Sequence, residues 1–361
     1  MIFHQNKAIL ALQDGTQFKG YHFGATTSST GEIVFNTAMA GYAESFTDPS
    51  YKGQLLVHTS PLVGNYGISE EDLAMEAFYE SEIIHINGLI VSDYTHKPHH
   101  WNMAYNLSYW LKKNNIPGVS GVDTRALTIK LRCQGPMLGK ILFYKDIPFY
   151  NYNKENLASQ VCINKKTIYG NGKYRVLLVD FGVKNKILSA LLERNCIVVL
   201  VPWNYDFRLV KYDGLLLSNG PGDPKKYQGP ITYLRDFLNF NNEAPIFGIC
   251  LGHQLLGLAA GANTYKLPYG HRSHNQPVRI EDTPYACVTS QNHSYAVDTA
   301  TIQKNWLMLF INLNDNSCEG LIHKVKDFFS VQFHPEGAGG PRDTYFLFDW
   351  FFQCIHQFKT D

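Results

Sequence analysis

The sequence predicts an α/β protein in which a strand-rich amino-terminal domain precedes a doubly wound domain with a mostly parallel sheet. Three observations predict it. The 361 residues exceed what one hydrophobic core ordinarily serves. From residue 173 onward, short apolar runs alternate with helix-spaced ones. Before residue 150 the pattern is instead one of alternating, glycine-punctuated segments.

In the second half, "YRVLLVDF" is apolar without alternation, as a strand buried on both faces should be. "KNKILSALLERN" follows with Ile187, Leu188, Leu191 and Leu192 at helical spacing, and "CIVVLVPW" is again a strand. "DGLLLSNGPGDP" is a strand breaking into a Gly/Pro turn, "ITYLRDFLNF" a helix, and "APIFGI" a strand. Such βαβ alternation builds a doubly wound sheet, whose ligands bind beyond the carboxyl ends of the strands. "SNGPGDP" and "CLGHQ" both fall at such ends. In the first half, "KAILALQDGTQFKGYHFGA" is interrupted by Asp14-Gly15, a hairpin signal, and "GEIVFNTAMAGYAE" continues strand-like. A helical piece is expected near "AYNLSYWLKKNN". The polar, Asn/Lys-rich "YNYNKENLASQVCINKKTIYGNGK" suits a connection. The expected division is a domain over 1–150, a linker over 151–172 and a second domain over 173–361, with no internal repeat.

Composition narrows the function classes. With 45% hydrophobic and 17% charged residues and no run of eighteen apolar residues, the chain reads as a soluble globular protein with no membrane span. "MIFHQNKAILALQDGT" lacks the pattern of a secretory signal, so a cytoplasmic location is expected. Seven cysteines at wide, irregular spacing, none in Cys-x-x-Cys, support neither a disulfide framework nor a thiolate zinc site. The net charge of +1 comes without basic runs, which argues against nucleic acid and for a small molecule or a protein partner. His96, His99 and His100 in "HKPHHW" have no accompanying carboxylates and read as a polar loop, so no metal site is expected. "YFLFDWFFQC" reads as a core helix, and "GPGDP" lacks the Lys-Ser/Thr of a phosphate-binding loop.

"APIFGICLGHQLLG" carries the chemistry. A residue at a tight strand-to-helix turn projects its side chain clear of both elements, and Gly248 and Gly252 relieve crowding there. The helix start favours a thiolate and offers the Leu251 N–H to an oxyanion, with a second donor available from "SNGPGDP". Losing one such donor typically costs about 3–4 kcal/mol of transition-state stabilisation. Taken alone, Cys250 is equally read as a small buried apolar residue. A nucleophile requires a base. His253 lies close in sequence but has no evident carboxylate. In "VQFHPEG", Pro335 holds His334 extended, so Glu336, two residues on, faces the same way and can orient the imidazole.

At these residues the sequence resembles class I, triad-type glutamine amidotransferases. "SNGPGDP", "GICLGHQLL", "QNHSYAVD" and "QFHPE" occur in that family's order. "FNTAMAGYAESFTDPSYKGQLLVHTSPLVGNYG" and "GVSGVDTRALTIKLR" further resemble the amino-terminal domain of carbamoyl-phosphate synthase small subunits. The resemblance implies a flavodoxin-like second domain and a Cys250/His334/Glu336 triad that converts glutamine to glutamate and ammonia through a γ-glutamyl thioester. It implies oxyanion donation by Gly220 and Leu251. It also implies glutamine contacts at Ser50, Gly220, Gly222, Leu251, Gln254, Asn292, Ser294 and Tyr295. No cofactor is implied in this chain; ATP and Mg are expected on a large synthetase subunit, which receives the ammonia and makes carbamoyl phosphate from bicarbonate. Two positions depart from the family pattern. Ser294-Tyr295 stands where Gly-Phe is usual, tolerable if Ser294 needs no positive φ, and Ser273 stands where glycine is usual. Two other readings compete: a hydrolase of the same fold acting on another amide, and a non-catalytic regulatory subunit.

Overall fold

The structure, a computed structural model, describes residues 7–68, 79–239 and 244–360; the chain's first six residues and Phe240, at the end of one predicted helix, lie outside them. It divides into two compact units, Met1–Lys154 and Glu155–Asp361.

In the first unit, seven strands close into a barrel: β1 (Lys7–Leu12), β2 (Gln17–His22), β3 (Ser29–Asn36), β4 (Gln54–His58), β5 (Gly88–Ile90), β6 (Gly118–Ser120) and β7 (Met137–Leu142), in the order 1-2-6-5-4-3-7. Closure leaves no unpaired edge. β1 and β2 form the hairpin signalled by Asp14-Gly15, with Ala11 opposite Gln17 and Gly15 at φ 89°. β3 through β6 pair in parallel, so the unit is more than a set of hairpins. After β3 the strand-like reading gives way to a short helix, Tyr42–Thr47, entered through Gly41 at φ 72°. The helix expected in "AYNLSYWLKKNN" spans Leu107–Lys113, where the Asn106 side chain caps it by accepting the Tyr109 N–H at 2.8 Å. A further helix, Thr124–Gln134, escaped the sequence reading. It buries only Thr124, Leu127 and Leu131, too thin an apolar stripe to stand out.

The second unit holds ten strands in one sheet: β8 (Thr167–Tyr169), β9 (Tyr174–Asp180), β10 (Cys196–Pro202), β11 (Gly214–Leu217), β12 (Ile246–Ile249), β13 (Thr264–Ile280), β14 (Ala286–Val297), β15 (Trp306–Asn312), β16 (Cys318–His323) and β17 (Phe328–Val331). The central strands β10, β9, β11, β12 and β17 are parallel neighbours. Counted in chain order among themselves they run 2-1-3-4-5, the doubly wound order of flavodoxin-like sheets. Every residue of β11, β12 and β17 is buried, which is why these segments read as unbroken apolar runs. Their side chains divide by parity. Leu177, Val179, Leu215, Leu217 and Ile246 pack with Ile231, Leu234, Leu255 and Leu256 of the helices Gln228–Asn239 and Leu251–Ala259. Val176, Leu178, Leu216, Phe247 and Ile249 pack on the other face with Ile187, Leu191, Phe348 and Phe351 of the helices Asn185–Leu192 and Phe346–Thr360.

An antiparallel extension, β13 to β16, continues the sheet beyond β17. It had no counterpart in the hydropathy pattern, because β13 and β14 bury His271, Arg272, Gln291, Asn292 and His293 alongside only a few apolar side chains such as Leu267, Val278 and Val297. The tail helix is the core element expected of it, burying Leu347, Phe348, Phe351, Cys354 and Ile355. Among the described residues, no helix is long and apolar enough to cross a membrane.

Phe329 on β17 joins this helix to the sheet. Its ring stacks on Phe247 at 4.6 Å and on Trp350 at 4.4 Å between centroids. Phe329→Ala should therefore cost about 3–5 kcal/mol and lower the calorimetric Tm by about 10 °C. A change within 2 °C would show that the layer is not held by this stack.

Candidate active site

Cys250 follows β12 with φ 53° and ψ −102°. The other non-glycine residues at positive φ among the described ones are Asn115, Asn195, Asp282 and Asn316, types that tolerate the left-handed region. Cys250 is the exception, and such a conformation costs about 1–3 kcal/mol and persists only where its surroundings enforce it. They do. The Cys250 N–H donates to Val331 O at the end of β17 (2.8 Å), the Gly252 N–H to Ser218 O just past β11 (3.0 Å), and the Gln254 N–H to Cys250 O (3.2 Å). The flanking glycines serve close approach rather than positive φ. A Cβ on Gly248 would stand 2.9 Å from the carbonyl of Gly252, and one on Gly252 only 2.2 Å from Leu217 O. The helix thus folds back directly over its own strand. The buried thiol donates weakly to Asn292 O on β14, with Sγ 3.8 Å away.

The register Gly248↔Ser330 and Ile249↔Val331 sets β17 beside β12, so the chain leading to His334 leaves the sheet next to the elbow. The His334 N–H donates to Ser290 O at 2.9 Å, which fastens it to β14. His334 Nδ1 meets Glu336 Oε1 at 2.7 Å, the side-by-side arrangement expected of residues two apart in an extended chain. A carboxylate accepts, so Nδ1 carries the hydrogen and Nε2 of the neutral ring holds the lone pair. Nε2 has no hydrogen-bond partner among the described residues.

Lys184, which the sequence reading missed, places Nζ 3.1 Å from the same Glu336 oxygen. Burial by itself would raise the Glu336 pKa; the charges of His334 and Lys184 and the hydrogen bond from His334 outweigh it and hold the carboxyl at about 2. Lys184 enters the helix Asn185–Leu192 from a turn built by Asp180, whose Oδ1 accepts the N–H groups of Gly182 (2.8 Å) and Val183 (2.7 Å). Asn219 Oδ1 accepts the Lys184 N–H at 3.2 Å. A signal existed: "DFGVK" follows β9 at the carboxyl edge of the sheet, where ligands gather.

His253 is held elsewhere. Its ring is fully buried, Nδ1 lies 2.9 Å from Ser330 Oγ, and burial pushes its pKa down to about 3. With no carboxylate beside it among the described residues, it is a neutral core histidine rather than the elbow's partner.

The remaining expected positions of the second unit lie on the turn after β11, on the elbow's own helix and on β14. A Cβ on Gly220 would lie 2.4 Å from Phe181 O and 2.9 Å from Leu251 Cδ2, so the Gly220 peptide abuts Leu251. Gly222 has φ 88°, and the turn is braced by Tyr227, whose hydroxyl donates to Pro221 O at 2.6 Å. Gln254 Nε2 donates to Tyr295 O at 2.9 Å and to Gln332 Oε1 at 3.0 Å. Asn292, Ser294 and Tyr295 lie on β14. Ser294 is not at positive φ, and its hydroxyl accepts from Arg272 Nη2, so the departure from glycine is absorbed locally. Ser273 is likewise unstrained, its Oγ accepting from Gln276 Nε2 at 2.9 Å. Ser50 belongs to the first unit, in the single turn Pro49–Tyr51, with its N–H donated to Asp48 Oδ1 at 2.9 Å. The "HKPHHW" histidines are exposed loop residues, His96 against Tyr94 and His100 against Tyr66 and Trp101.

Comparison with known proteins agrees with this architecture. The family model described as carbamoyl-phosphate synthase small chain, CPSase domain, matches residues 10–141, and that of class I glutamine amidotransferases matches residues 177–354. The carbamoyl phosphate synthase arginine-specific small chain of Saccharomyces cerevisiae is 44% identical over 98% of this chain and 90% of its own length. The multifunctional protein CAD of Squalus acanthias is 43% identical over 98% of this chain. The mitochondrial carbamoyl-phosphate synthase (ammonia) of Homo sapiens shows the same identity and coverage. The chain spans 16% and 24% of the length of these last two.

The geometry around Glu336 predicts a pH dependence. Its folded pKa of about 2 lies below the ordinary 4.5, so its charge stabilises the fold above about pH 4.5. That contribution fades as pH falls from 4.5 toward 2. In denaturant titrations at pH 5 and pH 3, the wild type should lose more stability over this interval than Glu336→Gln. Equal losses would mean that the carboxylate is not held charged by Lys184 and His334.

Proposed function

The chain belongs to the carbamoyl-phosphate synthase small-chain family, and from that premise we propose that it is a glutaminase working through Cys250, His334 and Glu336. The Cys250 thiol gives its proton to His334 Nε2, and the thiolate attacks the side-chain amide carbon of glutamine. The N–H groups of Leu251 and Gly220 receive the oxyanion at the start of the helix, where unpaired backbone donors and the helix dipole favour negative charge. The His334 imidazolium, steadied by Glu336, returns the proton to the departing nitrogen, which leaves as ammonia. A γ-glutamyl thioester remains. Water then attacks it while His334 takes up a proton, the C–S bond breaks, and the proton returns to sulfur. One glutamine and one water thus give one glutamate and one ammonia. Gln254, Asn292 and the backbone of Gly222, Ser294 and Tyr295 would hold the substrate. Because the Gln254 nitrogen is engaged with Tyr295 and Gln332, its carbonyl oxygen is the group left to meet glutamine.

Similarity alone does not decide this, since a relative named for ammonia is 43% identical over the same span. The observation that carries the proposal is His334: Nδ1 is fixed by Glu336, Nε2 has no partner among the described residues, and its strand adjoins the elbow of Cys250. The names of the relatives support the second half of the proposal. Ammonia passes to a large synthetase chain, which uses ATP and Mg with bicarbonate to make carbamoyl phosphate.

Assays of the chain assembled with its synthetase test both halves. Cys250→Ser should abolish glutamine-dependent carbamoyl phosphate while leaving the ammonia-dependent reaction largely intact. His334→Ala should lower glutamine use by about 10²–10⁴-fold, the scale for a general base. Full glutamine-dependent activity in Cys250→Ser would instead favour a non-catalytic scaffold. Equal ammonia release from a panel of other amides would favour a general amidase.

A further inference from the structure

We propose that His271, His293 and Glu319 form a site for one divalent cation of the zinc class, buried in the antiparallel extension behind the strand that lines the elbow. β13 and β14 set His271 directly opposite His293, and their rings meet edge to face at 4.8 Å between centroids. Glu319 comes from β16. One ligand atom from each of the three lies within 4.8 Å of the others, and all three residues are buried. The set is one that zinc accepts.

The surrounding bonds select which ring nitrogens face the cluster. His293 Nδ1 lies 2.8 Å from Tyr295 O, an oxygen that only accepts, so Nδ1 carries the hydrogen and Nε2 the lone pair. His271 Nε2 lies 2.8 Å from Asp315 Oδ2, which by the same reasoning leaves the lone pair on Nδ1. Glu319 Oε1 accepts from Asn312 Nδ2 at 2.9 Å. Each ligand is thus oriented from behind by a carboxylate, a carbonyl or an amide, the arrangement that fixes tautomer and direction in metal sites.

The spacing is close as well. His271 Nδ1 is 3.5 Å from Glu319 Oε1, and Gln291 Oε1 stands 3.0 Å from His271 Nδ1 and 3.1 Å from His293 Nε2. Tetrahedral ligands bound at about 2.0–2.1 Å stand roughly 3.3–3.4 Å apart, so the three ligand atoms, now within 4.8 Å of one another, would have to draw together to close a shell with the Gln291 oxygen as fourth ligand. With those tautomers, two ring lone pairs, an amide oxygen and a carboxylate converge, met by the Asn312 amide, whose Nδ2 is 2.9 Å from Glu319 Oε1 and 3.5 Å from His271 Nδ1. Such a group is electrostatically incomplete without a positive charge. Glu319 Oε2, in a residue with no exposed surface, has no partner among the described residues. Two occupants satisfy the group: a proton on His271, or a cation. Asp315 is exposed, so a proton on His271 balances the buried Glu319 but leaves the His293 Nε2 lone pair facing the Gln291 oxygen, whereas a divalent ion would meet both.

The three residues lie on three strands at spacings of no local motif, so no pattern along the chain points to a metal. The consequence reaches the elbow, because Gln291 and His293 flank Asn292, whose carbonyl accepts the Cys250 thiol. A bound ion would stiffen that strand.

The full chain, stripped with a chelator, is titrated with Zn²⁺ by calorimetry and with Co²⁺ by visible absorption. The proposal expects one ion per chain, a tetrahedral Co²⁺ band, and a Tm that rises with Zn²⁺. His271→Asn and the isosteric Glu319→Gln should each weaken binding at least 10-fold, while Cys250→Ser retains it. Failure of the wild type to bind either ion would mean that a proton alone completes the cluster, and would overturn the proposal. So would binding unchanged in both variants, or binding lost in Cys250→Ser. If His271→Asn fails to fold, the wild-type and Glu319→Gln titrations still decide.

Discussion

The hydrogen bond from the Cys250 N–H to Val331 O, 2.8 Å long, ties the nucleophile's turn to the strand that leads to His334. β12 and β17 pair in parallel for four residues up to that point. Neighbouring strands stand about 4.8 Å apart, so two side chains that emerge beyond adjacent strand ends face each other without any long-range loop having to be ordered. The positive φ of Cys250 then follows from the sheet rather than from the cysteine. The chain must reverse into a helix lying over β12 and β11 while keeping its bond to β17. Gly248 and Gly252 are the residues whose missing side chains make that reversal fit.

Electrostatics depends on the same frame. Glu336 is a fully buried carboxylate, and a buried charge is tolerable only when paired. His334 supplies one partner when protonated, but a base must also exist neutral. Lys184 is a second partner on the same oxygen, one that does not depend on the state of the imidazole. The turn that delivers Lys184 is fixed by Asp180 and Asn219, at the ends of β9 and β11. Four adjacent parallel strands therefore each contribute at their carboxyl edge: the lysine turn, the Gly220 turn, the elbow, and the segment carrying His334 and Glu336.

Much of this was legible because it follows from apolar periodicity and local motifs. The buried strands β9 to β12 announced themselves as unbroken apolar runs, and glycines around Cys250 marked the turn. His334 emerged through its proline and glutamate neighbours. What escaped had no local pattern. Lys184 touches Glu336 across a long sequence separation, and "DFGVK" signals only a place at the carboxyl edge of the sheet, not the contact. The strands β13 and β14 are held by hydrogen bonds among His271, Arg272, Gln291 and Ser294, so a hydropathy reading treats them as polar chain. Thr124–Gln134 shows too narrow an apolar stripe to be singled out. His253 was ambiguous for a related reason: sequence places it one helical turn from the cysteine, but only the bond to Ser330 reveals that it points into the core.

β14 shows why a polar strand can sit in the interior at all. Alternate residues of a strand face opposite sides. Gln291 and His293 serve one side with His271, Ser294 serves the other by its hydroxyl to Arg272, and the Asn292 backbone carbonyl accepts from the thiol. Gln254 from the elbow's own helix then bonds the Tyr295 carbonyl, which also accepts from His293. Both faces are thus anchored to elements that carry chemistry. An apolar β14 would pack as well but would leave its backbone free to shift in register. The hydrogen bonds admit one alignment, and that alignment puts Asn292 O beside the Cys250 sulfur.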